Sequence, residues 1–109
     1  MIELKKEFTK RGTMFQQVYK DDSVVIYRLS RRGVDNGKES VWYEVFKRLV
    51  MKPDIYHDDE FEKYPYDETF GKWAWSCSNI NVVRRVLSDP VRGHFGMSVE
   101  EADDIISYL

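Results

Sequence analysis

Apolar and polar residues alternate along much of the first half of the chain, a pattern typical of strands whose two faces differ in burial. Residues 3–9 alternate in this way, and residues 14–19 and 23–31 are again rich in β-branched and aromatic side chains. Gly12 lies between the first two segments, where its freedom to take a positive φ favours a turn. Asp21-Asp22-Ser23 interrupts the pattern before the third segment. The sequence therefore predicts three consecutive strands joined by short turns.

The clearest turn signal is Asp35-Asn36-Gly37, because Asn-Gly favours the type I′ turn of a two-residue hairpin loop. It separates residues 24–32 from residues 41–51, and both segments are strand-like, so we predict a long hairpin. Both faces of the second segment are partly apolar, which predicts a central strand covered on one side by helices. Its predicted faces are Val41, Tyr43, Val45, Lys47 and Leu49 on one side and Trp42, Glu44, Phe46, Arg48 and Val50 on the other.

Residues 53–71 are predicted to form a long connection, because Pro53 and Pro65 lack the N–H group that a central strand must donate. A connection of this length is either functional or contains a short element that the pattern does not reveal. It is both acidic and aromatic, and we expect the aromatic side chains to hold it against the body of the protein. Its aromatic residues are Tyr56, Phe61, Tyr64, Tyr66 and Phe70.

The last third of the chain predicts a strand followed by two helices. In residues 72–77 the side chains of Trp73, Trp75 and Cys77 fall on one strand face. Ser78 or Asn79 can cap the next helix. Asp89-Pro90 would end that helix, because the residue before proline is pushed out of the α region. The apolar stripes of the two helices are Val82, Val83, Val86 and Leu87 in the first and Val99, Ala102, Ile105, Ile106 and Leu109 in the second.

A capping box at Ser98-Val99-Glu100-Glu101 marks the start of the second helix. Strands that come first and helices that come last predict an α+β fold. We expect an antiparallel β-meander of about five strands with two C-terminal helices packed on one face. The length of 109 residues fits a single domain over residues 1–109.

Composition narrows the function classes. The net charge of −2 argues against a uniformly basic nucleic-acid binder, and 16 aromatic residues indicate a packed core. Cys77 is the single cysteine, so no disulfide can form within the chain, and we expect the reducing cytoplasm as its location. No secretory signal and no membrane-spanning run is visible, so we predict no membrane partner.

Charge is unevenly distributed. Residues 1–53 contain 12 of the 17 lysines and arginines but only 7 of the 19 acidic residues. The two halves either stay apart as opposite poles or pair with each other, and the sequence leaves both arrangements open.

The acidic part of the long connection is the leading candidate for function. Carboxylates next to aromatic rings suit a basic surface on another protein, because charge speeds the encounter and aromatic residues anchor it. We therefore predict a small non-catalytic protein-binding or regulatory module that uses the loop 54–68. The proposed contact residues are Asp58, Asp59, Glu60, Phe61 and Tyr64. The strands near the N-terminus would also allow two copies to pair as a homodimer.

A basic hairpin over residues 28–52 gives the first alternative, binding of nucleic acid. Cations paired across the Asn-Gly turn would cluster and neutralise phosphates, and an aromatic side chain beside them could stack on a base. The candidate residues are Arg28, Arg31, Arg32, Lys47, Arg48 and Trp42.

A second alternative is a metal-dependent enzyme at His57-Asp58-Asp59-Glu60. These residue types can ligate a cation, but the spacing matches neither a calcium loop nor a zinc site. His57 and His94 show no dyad spacing, and the strand position of Cys77 favours a core residue over a nucleophile. We expect no cofactor, no resident metal and no catalytic residue, and therefore a protein that is not an enzyme.

Residues 41–88 resemble small uncharacterised proteins of bacterial phages and mobile elements. The similarity rests on the strand Val41-Trp42-Tyr43-Glu44-Val45-Phe46 and on the segment from Tyr64-Pro65 through Phe70-Gly71 to Trp73-Ala74-Trp75. It implies an origin in a mobile element and assigns no activity and no catalytic residue.

Overall fold

A computed structural model describes residues 1–33, 37–91 and 94–109. Within these ranges it contains seven strands, one 3₁₀ turn and two helices. Five of the strands and both helices follow the order that the sequence predicts, whereas the other two strands and the 3₁₀ turn were not predicted. The strands are β1 (Glu7–Lys10), β2 (Thr13–Lys20), β3 (Val24–Arg32), β4 (Glu39–Lys47), β5 (Val50–Met51), β6 (Phe61–Glu62) and β7 (Ala74–Cys77). The 3₁₀ turn is Asp67–Thr69, and the helices are α1 (Ile80–Ser88) and α2 (Val99–Ile106).

The main sheet has five strands in the order β1-β2-β3-β4-β7, and every neighbouring pair is antiparallel. The α+β prediction of a five-stranded antiparallel sheet with two helices packed against it is therefore confirmed. The predicted hairpin is present as β3 and β4, paired without interruption from Val24 and Lys47 to Arg32 and Glu39. Residues 34–36, which include Asp35 and Asn36 of the predicted turn, lie outside the described residues.

Two turns form where the sequence predicts them. Arg11 and Gly12 both have a positive φ, 50° and 78°, which the tight connection between β1 and β2 requires. Between β2 and β3, the side chain of Asp21 accepts hydrogen bonds from the amides of Ser23 and Val24. An aspartate that bonds to the backbone two residues later is a common way to fix a turn.

Aliphatic side chains fill the space between the sheet and the helices. Asn79 caps α1 through the amide of Val82, and Ser98 and Glu101 form the predicted capping box of α2. The buried members of this core come from alternate positions of β3 and β4, from β7 and from both helices. They are Val24, Ile26, Tyr43, Val45, Cys77, Val83, Leu87, Ala102 and Ile105.

An aromatic layer covers the opposite face of the sheet. Tyr27, Phe46 and Ala74 are fully buried there, although no helix lies over them. The cover comes from the connection between β4 and β7, with Tyr64 packed against the rings of Tyr27 and Phe46 at centroid distances of 5.1 Å. The expectation that aromatic residues hold the long connection against the body is therefore confirmed for Tyr64 and Phe70, whereas Tyr56 and Tyr66 are exposed.

The second half of the predicted long strand belongs to a different sheet. β4 ends at Lys47 instead of Met51, and Val50–Met51 forms β5, which pairs with β6 in a separate two-stranded sheet. The alternation of faces holds up to this break. Trp73 precedes β7 and packs in the aromatic layer, so it does not share the helix-side face of Trp75 and Cys77 as predicted.

Candidate functional site

Residues 50–62, here called the arm, form a small hairpin that ends in a tight turn. The strands β5 and β6 pair through Val50 with Glu62 and Met51 with Phe61. Beyond them, the amide of Asp54 donates to the carbonyl of His57, which brings the chain round at the next two residues. Those residues, Ile55 and Tyr56, are 88% and 83% exposed. The arm therefore presents two large apolar side chains to solvent on a turn of defined shape.

His57 holds the base of this turn. Its Nδ1 lies 2.9 Å from Oδ1 of Asp54, and its ring stacks on Phe61 with 3.7 Å between centroids. The same Asp54 oxygen accepts the amide of Tyr56. The hydrogen bond to His57 is the main cause that lowers the pKa of Asp54 below its usual value. Phe61, a predicted contact residue, is thus half-buried as a platform for His57.

The three acidic residues of the predicted site have unequal surroundings. Asp59 forms an ion pair with the terminal ammonium of Met1 at 2.8 Å, and this contact lowers the pKa of its carboxyl. Asp58 and Glu60 are exposed and form no ion pair with another described residue. They place two carboxylates without ion pairs beside the exposed turn.

Glu62 anchors the arm to the main sheet. Its side chain is fully buried and receives Lys20 at 2.9 Å, Arg48 at 2.6 Å and the amide of Leu4 at 2.9 Å. Burial alone would raise the pKa of Glu62, but these hydrogen bonds outweigh it and leave the pKa below its usual value. Because both cations come from the basic half of the chain, the two halves are joined by ion pairs at this point.

Tyr64 is placed differently from the other predicted contact residues. Its ring packs edge-on against Phe8 and Phe15 as well as against the sheet, and its hydroxyl donates to Oε2 of Glu44 at 2.7 Å. It is therefore part of the aromatic layer instead of the exposed arm.

The basic residues of the predicted nucleic-acid site do not form one cluster. In the strand register, Arg32 lies opposite Glu39 at one end of the β3–β4 hairpin, and Lys47 lies opposite Val24 at the other end. Eight residues of strand separate these ends, about 27 Å at the usual rise per residue. Of the remaining candidates, Arg28 forms an ion pair with Glu39, Arg48 forms one with Glu62, and Trp42 lies against the aromatic layer. Arg31 is exposed at the same end of the hairpin as Arg32.

The candidates for enzyme chemistry are also apart. Cys77 is buried in the helix-side core, and burial raises the pKa of its thiol to about 12, so the reactive thiolate is disfavoured. His94 stacks on Trp75 at 4.1 Å, whereas His57 stacks on Phe61 in the arm. Over residues 1–33, 37–91 and 94–109 there is no cluster of three or more histidine, cysteine or acidic side chains arranged to hold a metal.

A second site, which the sequence patterns do not reveal, lies where the β1–β2 turn meets the long connection. It is a half-open pocket of about 460 Å³, here called the aromatic pocket. Phe8, Phe15 and Phe70 contribute apolar walls, and the hydrogen-bonded pair of Glu44 and Tyr64 lies among its polar groups. The other charged lining residues are Lys10, Arg11 and Asp67. The one signal in the sequence was a glutamate between Trp42 and Phe46 on an otherwise apolar strand face.

Comparison of the chain with protein-family models, curated proteins and solved structures found no match. Within the described part of the chain, neither helix has the length and apolar character needed to cross a membrane. Function must therefore be argued from the arm and the aromatic pocket themselves.

Proposed function

We propose that the protein is a non-catalytic binding module that docks onto another protein through its arm. The observation that carries this proposal is the exposure of Ile55 and Tyr56 at the end of a turn whose shape is fixed by Asp54 and His57. Leaving two large apolar side chains in water is unfavourable for the isolated protein, and covering them by a partner would reverse that cost. Because the turn is preorganised, binding costs little backbone conformational entropy.

The partner that fits the arm is a basic surface with an apolar cleft. Asp58 and Glu60 supply negative charge without an internal cation, and Asp54 adds another carboxylate at the base of the turn. Charges at the edge of an interface mainly raise the rate of association, whereas a central apolar anchor governs dissociation. We assign the anchor to Ile55 and Tyr56 and the steering to the carboxylates.

We propose a cytoplasmic setting, because the single cysteine suits a reducing compartment, and a phage or mobile-element origin, as the sequence resemblance over residues 41–88 implies. A small regulator in that setting would act on a host or element protein by occupying a basic surface.

Site-specific photocrosslinking in the producing cells tests this proposal. A benzophenone amino acid replacing Tyr56 should give one defined protein adduct, because that position would enter the interface. The double variant Asp58→Asn/Glu60→Gln should weaken that adduct at least about tenfold, because steering charge is lost. The purified partner should then bind the protein in vitro, and Ile55→Ser should increase its dissociation rate.

Two positions serve as matched controls. Val91 is as exposed as Ile55, at 88%, and lies after α1, and Tyr108 is an exposed tyrosine beyond α2. Benzophenone at Tyr108 should not give the same adduct, and Val91→Ser should leave the dissociation rate unchanged. Identical adducts at Tyr56 and Tyr108, or no adduct at Tyr56, would overturn the proposal.

A further inference from the structure

The aromatic pocket combines aromatic, acidic and basic groups. Its walls are aromatic, with Phe8 and Phe15 stacked on each other at 4.5 Å. Its polar centre is the carboxylate of Glu44, and its exposed edge carries Lys10 and Arg11 from the β1–β2 turn. Residues from four separate segments converge here, and a volume of about 460 Å³ suits a small molecule.

Glu44 is the half-buried polar group that a ligand would meet. Oε2 accepts the Tyr64 hydroxyl, while Oε1 makes no hydrogen bond to a described residue. Burial raises the pKa of Glu44, with Asp67 adding to the effect and Lys10 opposing it. No cation forms an ion pair with it among the residues described. A ligand that donates N–H groups would satisfy the free oxygen and stabilise the carboxylate.

Lys10 and Arg11 bring two cations to the edge of the pocket, which is also lined by the exposed carboxylate of Asp67. Both side chains are exposed, and neither forms an ion pair with a described residue. Arg11 is held with φ at 50°, the one non-glycine residue with a positive φ in the described chain. The turn therefore places two cations beside an aromatic slot, where they can receive an anionic group of a bound molecule.

We propose that the aromatic pocket binds a guanine nucleotide, with the base against the phenylalanine walls, its N–H edge on Glu44, and its phosphate at Lys10 and Arg11. Stacking on aromatic rings is favourable for any base, so it contributes affinity but does not discriminate between bases. A carboxylate only accepts hydrogen bonds, so it favours a base edge that carries donors. Guanine presents two adjacent donors, N1–H and the N2 amino group, whereas uracil presents carbonyl acceptors beside one N–H.

Calorimetric titration with guanosine monophosphate, uridine monophosphate and guanosine tests the three parts of the proposal separately. We expect the guanine nucleotide to bind at least about tenfold more tightly than the uracil nucleotide, because of the carboxylate. Guanosine should bind more weakly than its monophosphate, and only the monophosphate should weaken steeply with added salt.

Variants assign the two contacts. Glu44→Gln should reduce affinity for guanosine monophosphate about tenfold or more and leave affinity for the uracil nucleotide nearly unchanged. Lys10→Gln/Arg11→Gln should bring guanosine and its monophosphate to similar affinity. Glu68→Gln is the matched control, because Glu68 is exposed on the neighbouring 3₁₀ turn and does not line the pocket. Thermal unfolding of each variant shows that it is folded before titration.

A short single strand with a 5′-phosphorylated guanosine separates a free nucleotide from the end of a nucleic acid. If this strand competes with guanosine monophosphate and its binding depends on Glu44 in the same way, the proposed base recognition is supported. The bound guanine nucleotide would then belong to the 5′ end of a nucleic acid. Binding of no nucleotide at millimolar concentration, equal affinity for guanine and uracil nucleotides, or unchanged guanine affinity in a folded Glu44→Gln variant would overturn the proposal. Because these titrations use no protein partner, they stand or fall independently of the arm.

Discussion

Glu62 and Glu44 both bring a carboxylate into the body of the protein, but their surroundings shift their pKa values in opposite directions. Two cations and a backbone amide surround Glu62, so its charged form is stabilised despite full burial. Glu44 has the Tyr64 hydroxyl as its hydrogen-bond donor, and burial raises its pKa. The comparison distinguishes a charge that holds the structure together from one that remains available to a ligand.

The largest effect on stability is expected from Glu62→Gln. Removing this charge leaves Lys20 and Arg48 without their buried partner, and breaking such a pair should lower the free energy of unfolding by about 3 kcal/mol. We place the effect at the lower end of the usual range because both cations can reach solvent. Urea unfolding followed by circular dichroism measures it.

Glu3→Gln is the control for that variant. Glu3 also contacts Lys20, at 3.2 Å, but on the surface, so its loss should cost less than about 0.5 kcal/mol. Equal effects of the two variants would show that burial gives Glu62 no special role.

The difference in stability between the native protein and Glu62→Gln should depend on pH. Because the folded pKa of Glu62 lies below its usual value of 4.5, the stability it contributes is complete above that pH and disappears as pH falls through the folded pKa. The gap in unfolding free energy between the native protein and Glu62→Gln should therefore be largest near neutral pH and narrow in acid. A gap that widens in acid would contradict the lowered pKa.

Tyr64→Phe should have an intermediate effect. It removes the hydroxyl that donates to Glu44 and leaves a half-buried carboxylate without that donor, which should cost about 1–2 kcal/mol. Tyr19→Phe is the control, because Tyr19 donates to Asp21 at the same distance of 2.7 Å but on the surface. Its effect, measured by the same urea titration, should be smaller.

A small effect of the opposite sign is expected from Glu44→Gln. A raised folded pKa means that the native state loses stability as pH rises from 4.5 through the folded pKa, and glutamine does not titrate. At neutral pH the free energy of unfolding of the variant should equal that of the native protein or exceed it by less than about 1 kcal/mol. The glutamine side-chain oxygen can still accept the Tyr64 hydroxyl. A marked loss of stability would place Glu44 with Glu62 as a structural residue.

The sequence predicted the main sheet and both helices well because their signals are local. β-Branched and aromatic content predicted β3, alternation predicted the first part of β4, and Ser78 or Asn79 and then Ser98 marked the helix starts. The break after Lys47 was missed because Val50 and Met51 continue the apolar pattern while their partner, β6, lies within an irregular acidic segment. The sequence of residues 41–51 alone gives no indication that residues 50–51 pair with β6.

The candidate sites were harder to predict because they depend on distances along strands and between segments. The hairpin arginines and lysines seemed close across a turn, but strand register places the two groups at opposite ends. The aromatic pocket joins Phe8, Glu44, Tyr64 and Phe70, which are far apart in sequence. Within the acidic loop, the residue types were suggestive, yet the pattern did not show that Tyr64 points into the protein while Ile55 and Tyr56 point out.

The hidden thiol of Cys77 has a practical consequence for labelling. Because the chain has a single cysteine and that residue is fully buried with a raised pKa, maleimide reagents should leave the native protein almost unmodified. A new cysteine in place of Tyr56 would then be the sole reactive handle. Fluorophores or spin labels could report on the arm without first replacing Cys77, whose removal would leave a void in the core.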